Sequence, residues 1–205
     1  MRVSVIGGSS IDDETRAQAR EVGRLLGESG HTVVCGGLGG VMAAACRGAR
    51  EHDAETIGLL PAGRAVDRRE TAERASGNAA GRAVDQRETA ERASGNAASR
   101  AVDQRETAER ASGNAASRRA DANEWVTTPI ATGLGNARNP LVVLNGDAVV
   151  AIDGAAGTLS ELGHALDFGR PVAGLDTHDV DLDGFRAVDT PRAAVDYVES
   201  AVDQR

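Results

Sequence analysis

Short apolar runs alternate with longer amphipathic stretches along most of the chain. Residues 3–6, 32–35, 56–60, 125–130, 147–152 and 171–175 read as strands, being brief runs rich in branched aliphatics beside Gly, Pro or Asp turns. Between them, residues 11–29, 41–49, 139–144, 159–168 and 190–202 read as helices; the first carries Val22, Leu25 and Leu26 at helical spacing. Ser10 and Gly30 are the expected N-cap and C′ residue of that first helix, Asn139-Pro140 the N-cap and N1 of the third, and Thr190-Pro191 the start of the last. Thr158-Leu159-Ser160-Glu161 has the form of a capping box, with Thr158 at N-cap and Glu161 at N3. Continuous apolar strands alternating with helices predict an α/β fold built on a doubly wound parallel sheet.

One segment breaks this rhythm. Residues 64–81, 82–99 and 100–117 are three near-identical copies of an 18-residue unit, RAVDQRETAERASGNAAS in the last two. Eighteen residues make five helical turns, so Val66, Val84 and Val102 would align on one face. One valine per unit is too little apolar surface for a core, and each Ser-Gly-Asn breaks the helix. The reading is therefore a single domain over 1–205 with an inserted helical or disordered tandem repeat at 64–117. Without the insertion, about 150 residues remain, still enough for a full domain.

Composition narrows the chemistry. The formal net charge is -8, and all 23 basic residues are arginine, with no lysine. A pyridoxal-phosphate Schiff base and a Walker A loop both need a lysine, so both are excluded. The acidic balance argues against nucleic-acid partners, and no apolar run suggests a membrane span or a signal peptide. Cys35 and Cys46 have no metal-ligand spacing and read as reduced, structural residues of a cytoplasmic protein. No metal site is expected; the acidic run 179–184 imitates a calcium loop but has Thr190 where a bidentate glutamate is needed. Abundant Asp and Ala without lysine also resemble a salt-adapted composition, in which salt screens acidic repulsion.

Three Gly-rich turns each join a strand to a helix: Gly7-Gly8-Ser9, Gly36-Gly37-Leu38-Gly39-Gly40 before Met42, and Gly154 through Gly157 to Thr158. In a parallel sheet such turns gather at the carboxyl ends of the strands. Each presents backbone N–H groups at a helix start, a way to hold phosphate without lysine. The alternative is that glycine merely permits tight turns and close helix–sheet packing.

With Gly133, Leu134, Gly135, Asn136, Ala137, Arg138 and Asn139, and with residues 154–161, these motifs resemble the Lonely Guy (LOG)-related Rossmann superfamily. Within it they are most similar to the molybdenum-cofactor carrier-like branch of small nucleotide-binding proteins. The resemblance covers residues 2–62 and 120–176. It implies a Rossmann-like fold, a homo-oligomer, and a small phosphorylated ligand, a nucleotide or molybdopterin-type cofactor, lying across the glycine turns. No further cofactor is required. In the family's glycosidase branch an arginine and a glutamate cleave the base from a nucleoside monophosphate; by motif these fall on Arg138 and Glu161. The branch's Pro-Gly-Gly turn departs here to Asp153-Gly154-Ala155, placing a negative charge and a Cβ where phosphate would approach.

Three functions stay open at this point: a non-catalytic carrier of a phosphorylated ligand, a nucleoside 5′-monophosphate phosphoribohydrolase, and an interaction module acting through the repeat. Glu161 would serve either the capping box or the ligand. Arg138 near a helix start opposes the helix dipole, which favours an anion-facing role. His164, one turn beyond Glu161, is read as a solvated or packed histidine, and Trp125 as a core residue ahead of a ligand cover.

Overall fold

The structure is a computed structural model that describes residues 1–61 and 122–204; the tandem repeat, and the insertion boundaries assigned to it, lie outside the described residues. Seven strands form one sheet: β1 (Arg2–Gly7), β2 (Thr32–Cys35), β3 (Thr56–Leu60), β4 (Thr128–Ala131), β5 (Ala148–Ile152), β6 (Val172–Leu175) and β7 (Phe185–Val188). All neighbours are parallel, in the order β4-β3-β2-β1-β5-β6-β7. The chain winds outward from β1 in one direction, then returns to β5 and winds in the other. The reversal between β1 and β5 opens a crevice at their carboxyl ends, where such sheets bind ligands.

Five helices cover the sheet: α1 (Asp13–Glu28), α2 (Val41–Arg50), α3 (Asn139–Leu144), α4 (Ala156–Asp167) and α5 (Pro191–Asp203). Alternation along the strands decides which helix meets which residue. Val3 and Val5 of β1 pack with α1, α2 and α5, whereas Ile6 packs with Val142 of α3 and Leu162 of α4. This is the doubly wound, Rossmann-like α/β fold that the pattern predicts. Among the described residues no helix is long and apolar enough to cross a membrane.

Several boundaries differ from the expectation. The first helix starts at Asp13, and its N-cap is Asp12, not Ser10: the Asp12 carboxylate accepts from the Thr15 N–H at 2.8 Å. Its end is as expected, with Gly30 at φ 73° beyond the C-cap Ser29. Asn139 is not a cap, because a 3₁₀ turn at Gly135–Arg138 runs directly into α3 and Asn139 is already helical. Thr190 does cap α5, accepting from Ala193 N at 3.2 Å.

The capping box at 158–161 is not formed. α4 begins at Ala156 behind the N-cap Ala155, so Thr158 and Glu161 both lie inside the helix. The strand expected at 125–130 is β4, shifted to 128–131; Thr127, just before it, bonds Thr56 through both its N–H and its hydroxyl. β7 was not anticipated; its residues are half-buried or exposed at the sheet edge and carry no apolar run.

Candidate functional site

The crevice at the switch point is a cleft of about 220 Å³. Gly7, Gly8 and Ser9 line it from the end of β1; Gly36 and Met42 come from β2 and α2. Arg138 and Asn139 come from the 3₁₀ turn and α3, and Gly157, Thr158 and Glu161 from α4. Four chain segments distant in sequence thus converge on one space.

The other predicted site residues build the turns without lining the cleft. Gly40 turns at φ 62° as the N-cap of α2, and the next residue, Val41, donates its N–H to Gly8 O at 3.0 Å. That bond locks the first glycine turn to the second, and a Cβ on Gly40 would collide with the Ser9 backbone. Gly39 lies beside the same Ser9 carbonyl, and Gly37 packs against Leu60 and Gly58. Gly135 offers its carbonyl to Arg138, and Gly154 packs against Thr158. Val5, Ile6, Leu38, Asn136 and Ala155 also line the cleft and escaped sequence reasoning. Leu38, Asn136 and Ala155 had a signal, each standing inside a motif already singled out.

Arg138 is the electrostatic centre. It is only 6% exposed, and its donors go to carbonyl and amide oxygens. Nε donates to Leu59 O at 2.6 Å, Nη2 to Gly36 O at 3.4 Å, and Nη1 to Asn139 Oδ1 at 3.2 Å. Among the described residues no carboxylate lies within ion-pair distance of it. Burial pulls its pKa below the ordinary value, while the nearby Glu161 and Cys35 oppose that shift. A cation held by neutral acceptors keeps its charge for something else. Gly36 must be small for this arrangement, since a Cβ there would stand 2.8 Å from Arg138 Nη2 and 2.9 Å from Met42 Sδ.

Glu161 faces the same space from α4. Burial pushes its carboxyl up to about 7, and the Arg138 charge offsets only part of this. A carboxyl poised there can act as acid or base near neutrality. Asp153, with φ 51° between β5 and α4, places Oδ2 2.7 Å from where a Cβ on Gly8 would stand. Its charge therefore rests against the first glycine turn. His164 stacks on Phe168 at 5.9 Å, and the Arg47 guanidinium covers the Trp125 ring at 5.5 Å. Neither ring lines this cleft.

A parallel sheet with its switch-point cleft floored by glycine turns and a buried arginine defines a Rossmann-like ligand-binding protein. The chain belongs to the SLOG cluster4 family, whose model matches residues 1–77 and 95–203. A protein of Archaeoglobus fulgidus, described as uncharacterized, is 29% identical over 201 residues, covering 98% of this chain and 96% of that one. The molybdenum cofactor binding protein of Rippkaea orientalis has a similar structure, with TM-score 0.67 at 22% identity over 98% of this chain and 96% of that one. The molybdenum cofactor carrier protein of Chlamydomonas reinhardtii gives TM-score 0.68 at 20% identity, over 100% of this chain and 98% of that one. The chain is thus a LOG-related protein close in fold to molybdenum cofactor carriers.

Proposed function

We propose that the cleft binds a small phosphorylated ligand, a nucleotide or a molybdopterin-type cofactor, and carries it without turnover. The observation behind this is Arg138, a buried guanidinium on the cleft whose hydrogen bonds among the described residues all go to neutral oxygens. The ligand phosphate would complete that charge, with the N–H groups of the Gly7–Ser9 turn and of the α4 start as further donors. The carrier reading is favoured by the two fold relatives named above and by Asp153-Gly154-Ala155, which departs from the Pro-Gly-Gly turn of the glycosidase branch. The homo-oligomer that the family resemblance implies is part of the same proposal.

A second reading is favoured by Glu161 alone. In a phosphoribohydrolase, Glu161 would accept a proton from water attacking the sugar C1′ while the C–N bond breaks and the base leaves with the electron pair.

One experiment separates the two. The protein, in concentrated KCl, is incubated with a panel of nucleoside 5′-monophosphates; bound ligand is measured by calorimetry and free base by chromatography, beside Glu161→Gln. Binding without base release is the carrier outcome. Base release that Glu161→Gln abolishes makes the protein a hydrolase. Absence of binding to these nucleotides and to a molybdopterin preparation overturns both readings.

A further inference from the structure

Behind the cleft floor lies a pair of side chains that ligand binding does not use. Cys35 ends β2 and Cys46 lies in α2; both are fully buried, both are free, and their Sγ atoms are 3.5 Å apart. The Gly37 N–H donates to Cys35 Sγ at 3.3 Å. The next residue after Cys35 is Gly36, which lines the cleft and holds Arg138 through its carbonyl. These are the only two cysteines of the chain.

We propose that Cys35 and Cys46 form a reversible dithiol–disulfide site that a small hydroperoxide oxidises. The two sulfurs are already in van der Waals contact, so the bond needs an approach of only about 1.5 Å to reach the usual S–S length. Gly36, the residue after Cys35, lines the open cleft while both sulfurs are buried, so the oxidant reaches them only when this turn opens locally. The surroundings also assign the roles. The Cys46 thiol, the Gly37 N–H and the Arg138 charge hold Cys35 below the ordinary thiol range, against its burial. Cys46 is pushed up by its bond to Cys35 and by burial. The Gly37 N–H at 3.3 Å and the neighbouring Arg138 charge favour a thiolate at Cys35, which makes Cys35 the nucleophile and Cys46 the resolving thiol.

The Cys35 sulfur attacks one peroxide oxygen, the O–O bond breaks, and the departing hydroxide takes the thiol proton to become water. Cys46 then attacks the sulfenic sulfur, the S–S bond forms and the S–O bond breaks. The second water carries off the sulfenic hydroxyl and the Cys46 proton. Two electrons pass from the sulfurs to the peroxide, and a dithiol reverses the change.

Closing the bond draws the end of β2 toward α2 and removes Cys35 Sγ from the Gly37 N–H. The turn that holds Gly36 against Arg138 must then move. Resting on the proposed phosphate role of the cleft, the oxidised form should bind AMP at least about fivefold more weakly than the reduced form.

The test uses the full chain, treated with hydrogen peroxide and analysed by mass spectrometry. The expected result is loss of two hydrogens, a Cys35–Cys46 bridge in the peptide map, and reversal by dithiothreitol. In Cys46→Ser, dimedone should trap a sulfenic acid on Cys35; in Cys35→Ser, Cys46 should stay unlabelled. A native chain that bridges no faster than the urea-unfolded chain overturns the proposal, as does equal labelling of the two variants. AMP titrations of both redox forms read the coupling. Reduced protein that binds neither AMP nor the other nucleotides and the molybdopterin preparation contradicts the ligand reading and leaves the bridge result standing. Equal affinities of the two forms contradict the coupling.

Discussion

At the scale of single residues, Arg138 and Glu161 make separable demands. Replacing Arg138 by Met removes a buried charge and its desolvation cost, yet leaves the Leu59 and Gly36 carbonyls without their donor. These effects oppose each other in stability but not in binding. Calorimetry should show AMP affinity falling about ten- to a hundredfold in Arg138→Met, the range of a charge-assisted hydrogen bond. The urea midpoint should move little by comparison. Arg138→Lys should not restore affinity, since an ammonium cannot reproduce the planar fork that spans several oxygens. Unchanged affinity in Arg138→Met would remove the central argument for an anion site. Glu161 predicts a pH dependence of stability. Its folded-state pKa, about 7, lies above the ordinary 4.5, so between these values the folded state holds a proton that the unfolded chain has released. Stability from this group is present below about 4.5 and is lost as pH rises through 7, by up to about 3 kcal/mol. Urea unfolding from pH 5 to 8 should show that fall in the wild type, and Glu161→Gln should flatten it.

At the scale of elements, the helix starts test how local sequence and tertiary packing divide the work. Asp12→Ala should cost about 1 kcal/mol in urea unfolding through the lost cap to Thr15, while Ser10→Ala should cost almost nothing. The reverse ranking would return the cap to Ser10. The α1–α2 contact makes a sharper demand. A Cβ on Gly23 would stand 2.8 Å from Ala45 Cα, and one on Gly48 would stand 2.7 Å from Arg24 N. Both obstacles are backbone, so Gly23→Ala should lower stability by about 1–3 kcal/mol through overpacking, despite its better helix propensity. Such a contact cannot be read from sequence, where Gly23 is only a flaw in a helical run. β1, β2, β5 and β6 were legible because strands buried on both faces must be apolar throughout, as in the fully buried Ala148–Ile152. β4 and β7 lie at the two edges of the sheet, where half-buried Thr128 and exposed Arg186 carry no such pattern, so β4 was placed only approximately and β7 not at all. The glycine turns were legible for the same local reason. Arg138's burial was not, because it depends on a 3₁₀ turn delivering the side chain onto the distant carbonyls of Leu59 and Gly36. The motif at 158–161 misled because its residues suit a cap, whereas the helix starts one turn earlier and places Glu161 on the cleft.

At the scale of the whole molecule, the described residues on either side of the repeat are held by the sheet itself. β3 and β4 pair from Ile57↔Thr128 to Leu60↔Ala131, and Gly135 N donates to Pro61 O at 3.0 Å. Asn123 reaches back to the second glycine turn, donating from its backbone to Gly37 O at 2.9 Å and from its side chain to Leu38 O at 2.9 Å. Leu60 and Asn123 thus both meet Gly37, which brings the two edges of the gap close together. Deleting residues 64–117 leaves six residues to join Pro61 to Ala122, a reach of about 20 Å when extended. Shortening a long connection also lowers the entropic cost of closing it, by about 2 kcal/mol for a tenfold change in length. The deleted chain should therefore unfold in a single cooperative urea transition at a midpoint equal to or slightly above the full chain's. It should also keep its AMP affinity, because Arg138, Gly36 and the glycine turns are held by residues that remain. Retained affinity with loss of a captured protein partner would give the repeat the role of an interaction module beside the ligand site. Loss of cooperative unfolding would instead make the repeat part of what stabilises the domain, and the single-domain reading would then extend through the insertion.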